Sequence, residues 1–270
     1  MSKINNAIYE IHHIDQIASR DQWMNQIHPL VKLCLTIIYI AVTVSFSKYD
    51  IVGLSAMAVY LFIAFHLAEL SFRDALRRLR VVLPIVCVVG IANPFFDRVP
   101  VAIGVFHVNA GVLSMLTLMM KGVFAVLASY ILIATTTIEK ICYALRLLHI
   151  PTILVTQILL TYRYITLLLG EVNRITQAYA LRAPNQKGIH FKVWGSLTGQ
   201  LLLRSIDRAN DVYDSMTLRG YHGEFRYVGE KYRLRSQDAL YFIVWIALFA
   251  LFRKIPILIV IGNLVGGLFA

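Results

Sequence analysis

Residues 152–170 read TILVTQILLTYRYITLLLG, and the fold turns on whether they cross a membrane. Their apolar content alone makes them a span. Two features argue otherwise. Arg163 sits in the middle, where an arginine costs at least about 2.5 kcal/mol on insertion scales. The second feature is parity. Residues 171–235 hold eleven Lys or Arg against six Asp or Glu, and residues 69–80 carry Arg73, Arg77, Arg78 and Arg80. Basic loops favour the cytoplasmic face. Two apolar runs separate these basic stretches, which keeps both inside, and a further crossing at 152–170 puts the second outside. The economical reading makes 138–235 one cytoplasmic domain of long amphipathic helices. The other reading, in which Thr152 to Gly170 spans and the charge rule is broken, stays open.

Upstream, Leu30 to Ser47 and Ile51 to Ala68 are each long enough to cross about 30 Å of hydrocarbon. Val81 to Phe96 is shorter and holds Pro84 and Pro94, which points to a bent or partly helical segment. Residues 97–110 read as an extended loop. Gly111 to Thr137 is the fourth run, and its single charge, Lys121, either snorkels or faces other helices. The loops then placed outside carry Lys48 with Asp50 and Asp97 with Arg98, so each is neutral. Ala239 to Phe252, starting near Ser236, crosses outward again. Ile255 to Ala270 either spans a sixth time or continues at the membrane face, and Arg253-Lys254 before it is the one basic pair on the outer side. Residues 1–29 are a polar leader without the apolar core and small-residue cleavage site of a signal peptide. The expected class is an all-α polytopic membrane protein with about five core transmembrane helices. Its parts are a cytoplasmic leader (1–29), a four-helix membrane domain (30–137), a cytoplasmic coupling domain (138–235) and C-terminal membrane sequence (236–270).

Composition supports this class. Of 270 residues 58% are hydrophobic and 15% charged, with a net charge of +11, and the mean hydropathy is +0.67. A soluble domain has roughly 45–50% apolar and about 25% charged residues. Collagen-like, disordered and small secreted classes are excluded. Cys34, Cys87 and Cys142 lack the spacing of a disulfide framework or zinc site.

Within the basic domain, Ile138 to Leu148 forms a short amphipathic helix with Ile141, Leu145 and Leu148 on one face. His149-Ile150-Pro151 breaks it. From Thr152 to about Arg182 only Gly170 interrupts helical periodicity, and so apolar a helix needs a cover of other helices or a partner protein. Ala183-Pro184-Asn185 ends it. A second long helix runs from about Val193 to Arg219, with Leu202, Ile206, Ala209, Tyr213 and Met216 on one stripe, and Gly220 closes it as a C′ glycine.

Each long helix thus ends in an arginine followed by a small residue, Leu181-Arg182-Ala183 and Leu218-Arg219-Gly220. One such arginine complements the helix dipole. Two at equivalent ends suggest docking, because the guanidinium fork pairs bidentately with a carboxylate. No GxxxxGK[ST] loop, HExxH, GxSxG or clustered acidic pair in a span occurs, and no row of intramembrane charges marks a substrate path. His12-His13 are read as surface residues. No metal site and no nucleic-acid partner are expected.

These residues resemble the transmembrane T component of energy-coupling factor (ECF) transporters over nearly the whole chain, from about Ile14 to Phe225. The most specific stretch is Leu201 to Ser205 through Met216 to Gly223. The Tyr162-Arg163-Tyr164 triplet and Thr135-Thr136-Thr137 match too. Ile14 to Ala18 followed by His28-Pro29-Leu30-Val31-Lys32-Leu33 is similar to the cobalt-type, CbiQ-like subgroup. The resemblance implies a non-catalytic coupling scaffold of an ATP-driven importer in the cell's inner (plasma) membrane. Two ABC-type ATPase subunits, which bind ATP and Mg, sit below it, and a substrate-binding S component packs against it within the bilayer. The chain itself then holds no cofactor. The family's two Ala-Arg-Gly-like motifs map onto Ala180 to Ala183, with Arg182, and onto Leu218-Arg219-Gly220. The first departs from the pattern, since Ala183 stands where glycine is usual. In that subgroup the metal ligands belong to the S component.

Ile158, Leu159, Tyr162, Leu202, Ile206 and Met216 are the expected partner-contact positions, and Arg182, Arg219, Ala180, Ala183 and Gly220 the ATPase-coupling ones. Cobalt is favoured as cargo, with nickel next and a vitamin-type substrate still open. The competing functions are a self-sufficient secondary transporter or channel and a multipass membrane enzyme. A carrier transports alone in liposomes without ATP, and an enzyme needs a polar constellation near one membrane face.

Overall fold

The computed structural model describes residues 2–96, 100–103, 106–184, 188–222 and 232–254. The expectation for Ile255 to Ala270 lies outside them. The chain divides into two compact units, Met1–Ile17 with Thr137–Lys231, and Ala18–Thr136 with Tyr232–Ala270. The fold is helical, with one small hairpin, and the protein is membrane-embedded. Among the described residues three helices are long and apolar enough to cross a bilayer: Ala110–Thr135, Thr152–Arg182 and Ser236–Lys254.

The second unit is a bundle. Its main helices are α3 (Pro29–Ser45), α4 (Ile51–Ala56) with α5 (Ala58–Leu67), α6 (Phe72–Phe96), α7 (Ala110–Thr135) and α11 (Ser236–Lys254), preceded by the short α2 (Trp23–Gln26). α6 begins inside the arginine-rich stretch that hydropathy alone assigns to a loop, and it runs on through Pro84 and Pro94. Arginine is a good helix former, so the change at Val81 is one of solvent, not of backbone. Residues 97–110, expected as a loop, contain a two-stranded antiparallel hairpin, β1 (Pro100–Ile103) and β2 (Phe106–Asn109), with Val101 opposite Val108.

Polar contacts fix the helix directions. Lys32, at the start of α3, is 3% exposed, and its Nζ donates to the Thr135 carbonyl at the end of α7 (2.7 Å). At the opposite end, Lys121 of α7 donates to the carbonyls of Val44 (2.9 Å) and Phe46 (2.6 Å). Arg253 of α11 donates to the Ser45 carbonyl (2.9 Å) and covers the Phe46 ring. The end of α3 therefore has three consecutive carbonyls satisfied by two cations, as helix C-termini require in an apolar setting. Lys121 faces another helix, and Arg253, anomalous by the charge rule, caps one. At the start of α3, His28 N–H donates to Asp238 Oδ1 (3.4 Å) and Arg235 N–H to Asp238 Oδ2 (2.9 Å). α11 thus runs parallel to α3, and α7 runs antiparallel to both.

The core between α3, α5 and α11 is aromatic. The Tyr39 ring lies tilted 4.7 Å from that of Tyr60 and 5.4 Å from that of Phe249, and Tyr60 meets the Trp245 ring edge-on at 4.7 Å. α6 and α7 approach closely at Gly122, where an added Cβ would come within 3.1 Å of Val86. Small residues permit such contacts between membrane helices.

The first unit contains α1 (Ser2–Ala18), α8 (Ile138–Leu147), α9 (Thr152–Arg182) and α10 (Phe191–Leu218). Thr137 caps α8 by accepting from Lys140 N–H (3.4 Å). α8 ends on His149, whose φ of 61° is left-handed. Ile150 N–H bonds back to the Leu145 carbonyl and His149 N–H to that of Arg146 (3.3 and 3.0 Å). That is a Schellman ending made without glycine, and Pro151 then launches α9.

Candidate functional site

α9 has 31 residues and α10 has 28, so each is on the order of 40 Å long. Two contacts between them, Glu171 with Arg204 and His190 with Tyr179, show that they form an antiparallel hairpin. Glu171 of α9, largely buried, pairs with Arg204 of α10 and with Arg174 one turn along (3.6 Å). His190 N–H, just before α10, donates to the Tyr179 hydroxyl in the last turns of α9 (3.4 Å). Beyond the Glu171 crossing the helices flank an open cavity of about 1020 Å³, lined by Leu159 and Arg163 of α9 and by Arg208, Asp211, Met216 and Arg219 around the end of α10.

The two tip arginines therefore lie at opposite ends of one hairpin. Arg182 is the last residue of α9, beside the turn into α10, and Arg219 is the C-cap of α10. Both are exposed, and neither guanidinium has a partner among the described residues. The endings differ. After Arg219, Gly220 takes φ +83°, its N–H bonds to the Thr217 carbonyl (2.9 Å) and the Tyr221 N–H to that of Met216 (2.9 Å), which is a Schellman lock. After Arg182, Ala183 stays at φ −130° with one bond, N–H to the Tyr179 carbonyl (3.0 Å). The missing glycine thus changes how the helix closes and leaves the arginine at its end.

Ala180, Ile158, Leu202 and Ile206 are exposed, whereas Leu159, Tyr162, Ala183 and Met216 are half-buried. Leu159 and Met216 line the hairpin cavity, and the Tyr162 hydroxyl bonds the Asp15 carboxylate of the leader helix. The partner-contact set therefore separates into an outward group and an internal one. α10 buries none of its residues, so its stripe from Leu202 to Tyr213 has no full cover among the described residues of this unit. The sequence marks Arg163 only as a topological cost and does not single out Arg208. The structure brings both to the cavity beside Arg219, and only their shared position across from each other in an antiparallel hairpin could have revealed it. Among the described residues no group of three His, Cys, Asp or Glu is placed to hold a metal ion.

Comparison with known proteins agrees with this architecture. The cobalt transport protein family, CbiQ, matches residues 20–228. The chain belongs to the CbiQ family. The match takes in every element from α2 to α10. The chain is 25% identical over 244 residues, 86% of its length and 83% of the other's, to the Uncharacterized protein MJ1571 of Methanocaldococcus jannaschii. It is 29% identical over 115 residues, 42% of each chain, to the Nickel permease LarQ of Lactiplantibacillus plantarum. CbiQ membership makes it a membrane component of transport rather than a member of an enzyme class.

Proposed function

We propose that this CbiQ-family chain is the non-catalytic coupling subunit of an ATP-driven ECF-type importer for cobalt or nickel ions. Two ABC-type ATPase subunits dock on Arg182 and Arg219, and a membrane-embedded S component carries the ion and packs against the exposed apolar positions Ile158, Leu202 and Ile206. ATP and Mg are held by the ATPases. The likeness to a nickel permease supports nickel beside cobalt as cargo.

The observation that carries this reading is the pair of partnerless guanidinium groups at opposite ends of the α9–α10 hairpin. Their separation, roughly the 40 Å length of α10, suits two subunits side by side. Each helix is hydrogen-bonded throughout, so a push at the tip reaches the Glu171–Arg204 crossing with little loss in bending. Parity within the bundle supports a cytoplasmic position for the hairpin. The chain leaves the bundle at Thr135 beside Lys32 and re-enters at Tyr232 and Asp238 beside His28, both at the start of α3. The intervening stretch therefore crosses an even number of times. α10 carries Lys192, Arg204, Asp207, Arg208, Asp211 and Asp214 and does not suit a return span, which supports a reading in which α9 does not cross.

The test is uptake and ATPase association in the assembled complex. Arg182→Ala and Arg219→Ala each reduce both, the double change more than either, and lysine substitutes poorly for want of the bidentate fork. Arg174→Ala, an exposed partner of Glu171, is mild. Full uptake and full ATPase association in both tip variants would falsify the docking role. An impermeant thiol reagent that strongly labels Asn185→Cys from outside intact cells overturns the orientation.

A further inference from the structure

Beside each tip arginine stands a leucine that the fold leaves almost bare. Leu181 is 83% exposed and Leu218 is 89% exposed. The order is the same at both ends, leucine then arginine, across the last helical positions. Neighbouring helix positions point about 100° apart, so a surface that meets the helix end-on meets both side chains. Scattered exposed leucines need no explanation. Two of them, at corresponding ends of two helices and each next to a partnerless guanidinium, form a repeated two-part feature. The Arg182 corner carries one more apolar group, because the bond from His190 N–H to the Tyr179 hydroxyl holds the start of α10 there. Phe191, the first residue of α10, is 89% exposed.

We infer that Leu181 and Leu218 are apolar keys, each seated with its arginine in a socket on one ATPase subunit that has an apolar floor and a carboxylate on its rim. This inference rests on the proposed coupling function and names the chemistry of its docking site. Charge complementarity selects the carboxylate, and the bare leucine selects the floor. The two parts act together: an ion pair is strongest where water is excluded, and the leucine is what excludes it. Arginine then governs encounter and orientation, with a strong salt dependence, and leucine governs residence time. Phe191 makes the Arg182 tip broader, so two identical ATPase copies meet unequal surfaces.

The experiment uses the whole complex, the chain co-purified with its ATPases and S component in lipid nanodiscs. Leu181→Ser, Leu218→Ser and the double variant are compared for ATPase release rate and for transport-coupled ATP hydrolysis. Each single change speeds release from its tip about tenfold, the equivalent of one leucine returned to water. The effect persists from about 0.1 M to about 1 M salt, whereas the effect of Arg182→Ala or Arg219→Ala shrinks over that range. Leu181→Met and Leu218→Met restore slow release. Both positions are exposed, so serine leaves the thermal midpoint of the isolated chain unchanged, and a lowered midpoint assigns the leucines to the fold and overturns the inference. Wild-type release in both serine variants, while the arginine variants are impaired, removes the keys and leaves the coupling reading standing. If neither kind of variant alters release, both readings fall. Loss of partition into lipid vesicles with ATPase release unchanged assigns the leucines to the bilayer and overturns the socket.

Discussion

Cations in the bundle unit and cations in the hairpin unit are held differently. In the bundle, Lys32 reaches the carbonyl end of α7, and Lys121 with Arg253 closes the end of α3. Arg78 lies over the Tyr130 ring at 4.7 Å. Each is consumed by the fold, as an apolar surround demands of a charge. In the hairpin, Arg163, Arg182, Arg208 and Arg219 have no partner among the described residues, while Arg204 and Arg174 share Glu171, and Arg204 pins the crossing. Removing a cation from the first group should cost stability, and removing one from the second should cost function. The sign of a mutation's effect thus depends on which carbonyl or carboxylate the charge already has.

The largest stability effect that tests this division is at Lys32. Lys32→Met keeps the length of the side chain but leaves the Thr135 carbonyl buried and unbonded, at a cost of about 1–3 kcal/mol. Arg182→Ala should shift stability by no more than about 0.5 kcal/mol, as exposed substitutions do. Thermal unfolding in detergent measures both. Equal losses would erase the distinction between the two units.

Acid sensitivity sharpens it further. His28 caps α3 by accepting Leu30 N–H at Nδ1 (3.2 Å), so the folded state holds a neutral ring. Burial lowers its pKa from the ordinary 6.5, against the opposing pull of the Tyr232 carbonyl and the Asp238 charge. As pH falls, the unfolded chain takes up this proton first. The stability contributed by the neutral ring is complete above about pH 6.5, declines below it, and is lost by the depressed folded value. His28→Asn retains a capping oxygen and should flatten the unfolding midpoint between pH 6.5 and the acid limit. An unchanged acid limb in that variant places the proton on a group other than His28.

Much of this was legible in the residues. Pro151 and the Arg182-Ala183-Pro184 sequence bound α9 at both ends, because proline suits a first turn and ends a helix that precedes it. The apolar helices other than α6 were legible from apolar run length, although the run from Ile51 is parted at Met57 into α4 and α5. α6 was cut short at Val81, since hydropathy responds to the arginines and the backbone does not. The capping of α3 was out of reach, because it joins Val44, Ser45 and Phe46 to residues 75 to 208 positions away. The tips were legible as arginines at helix ends, but the leucines beside them were not, since exposure belongs to the tertiary structure. The stripe from Leu202 to Tyr213 was visible as a pattern. That α10 turns Met216 and Arg208 toward α9 instead, leaving Leu202 bare, follows from where Glu171 meets Arg204.

The most local expected effect separates the two tips themselves. Gly220 holds φ +83° so that two amides can return to the Met216 and Thr217 carbonyls. An alanine there costs roughly 1–2 kcal/mol in the left-handed region, and the last turn of α10 should open. Ala183, at φ −130°, needs no such freedom. Ala183→Gly adds only unfolded-state entropy, a loss of about 0.5–1 kcal/mol with no change of ending. Hydrogen exchange reads the difference locally: in Gly220→Ala the amides of Gly220 and Tyr221 exchange faster, while in Ala183→Gly the amides around Tyr179 to Ala183 keep their protection. If the hairpin works as a lever, the loosened Arg219 tip also transmits less, so Gly220→Ala lowers coupled ATP hydrolysis by more than Ala183→Gly does. Should the two variants exchange and couple alike, the Schellman lock at Gly220 is incidental, and the arginine alone defines each tip.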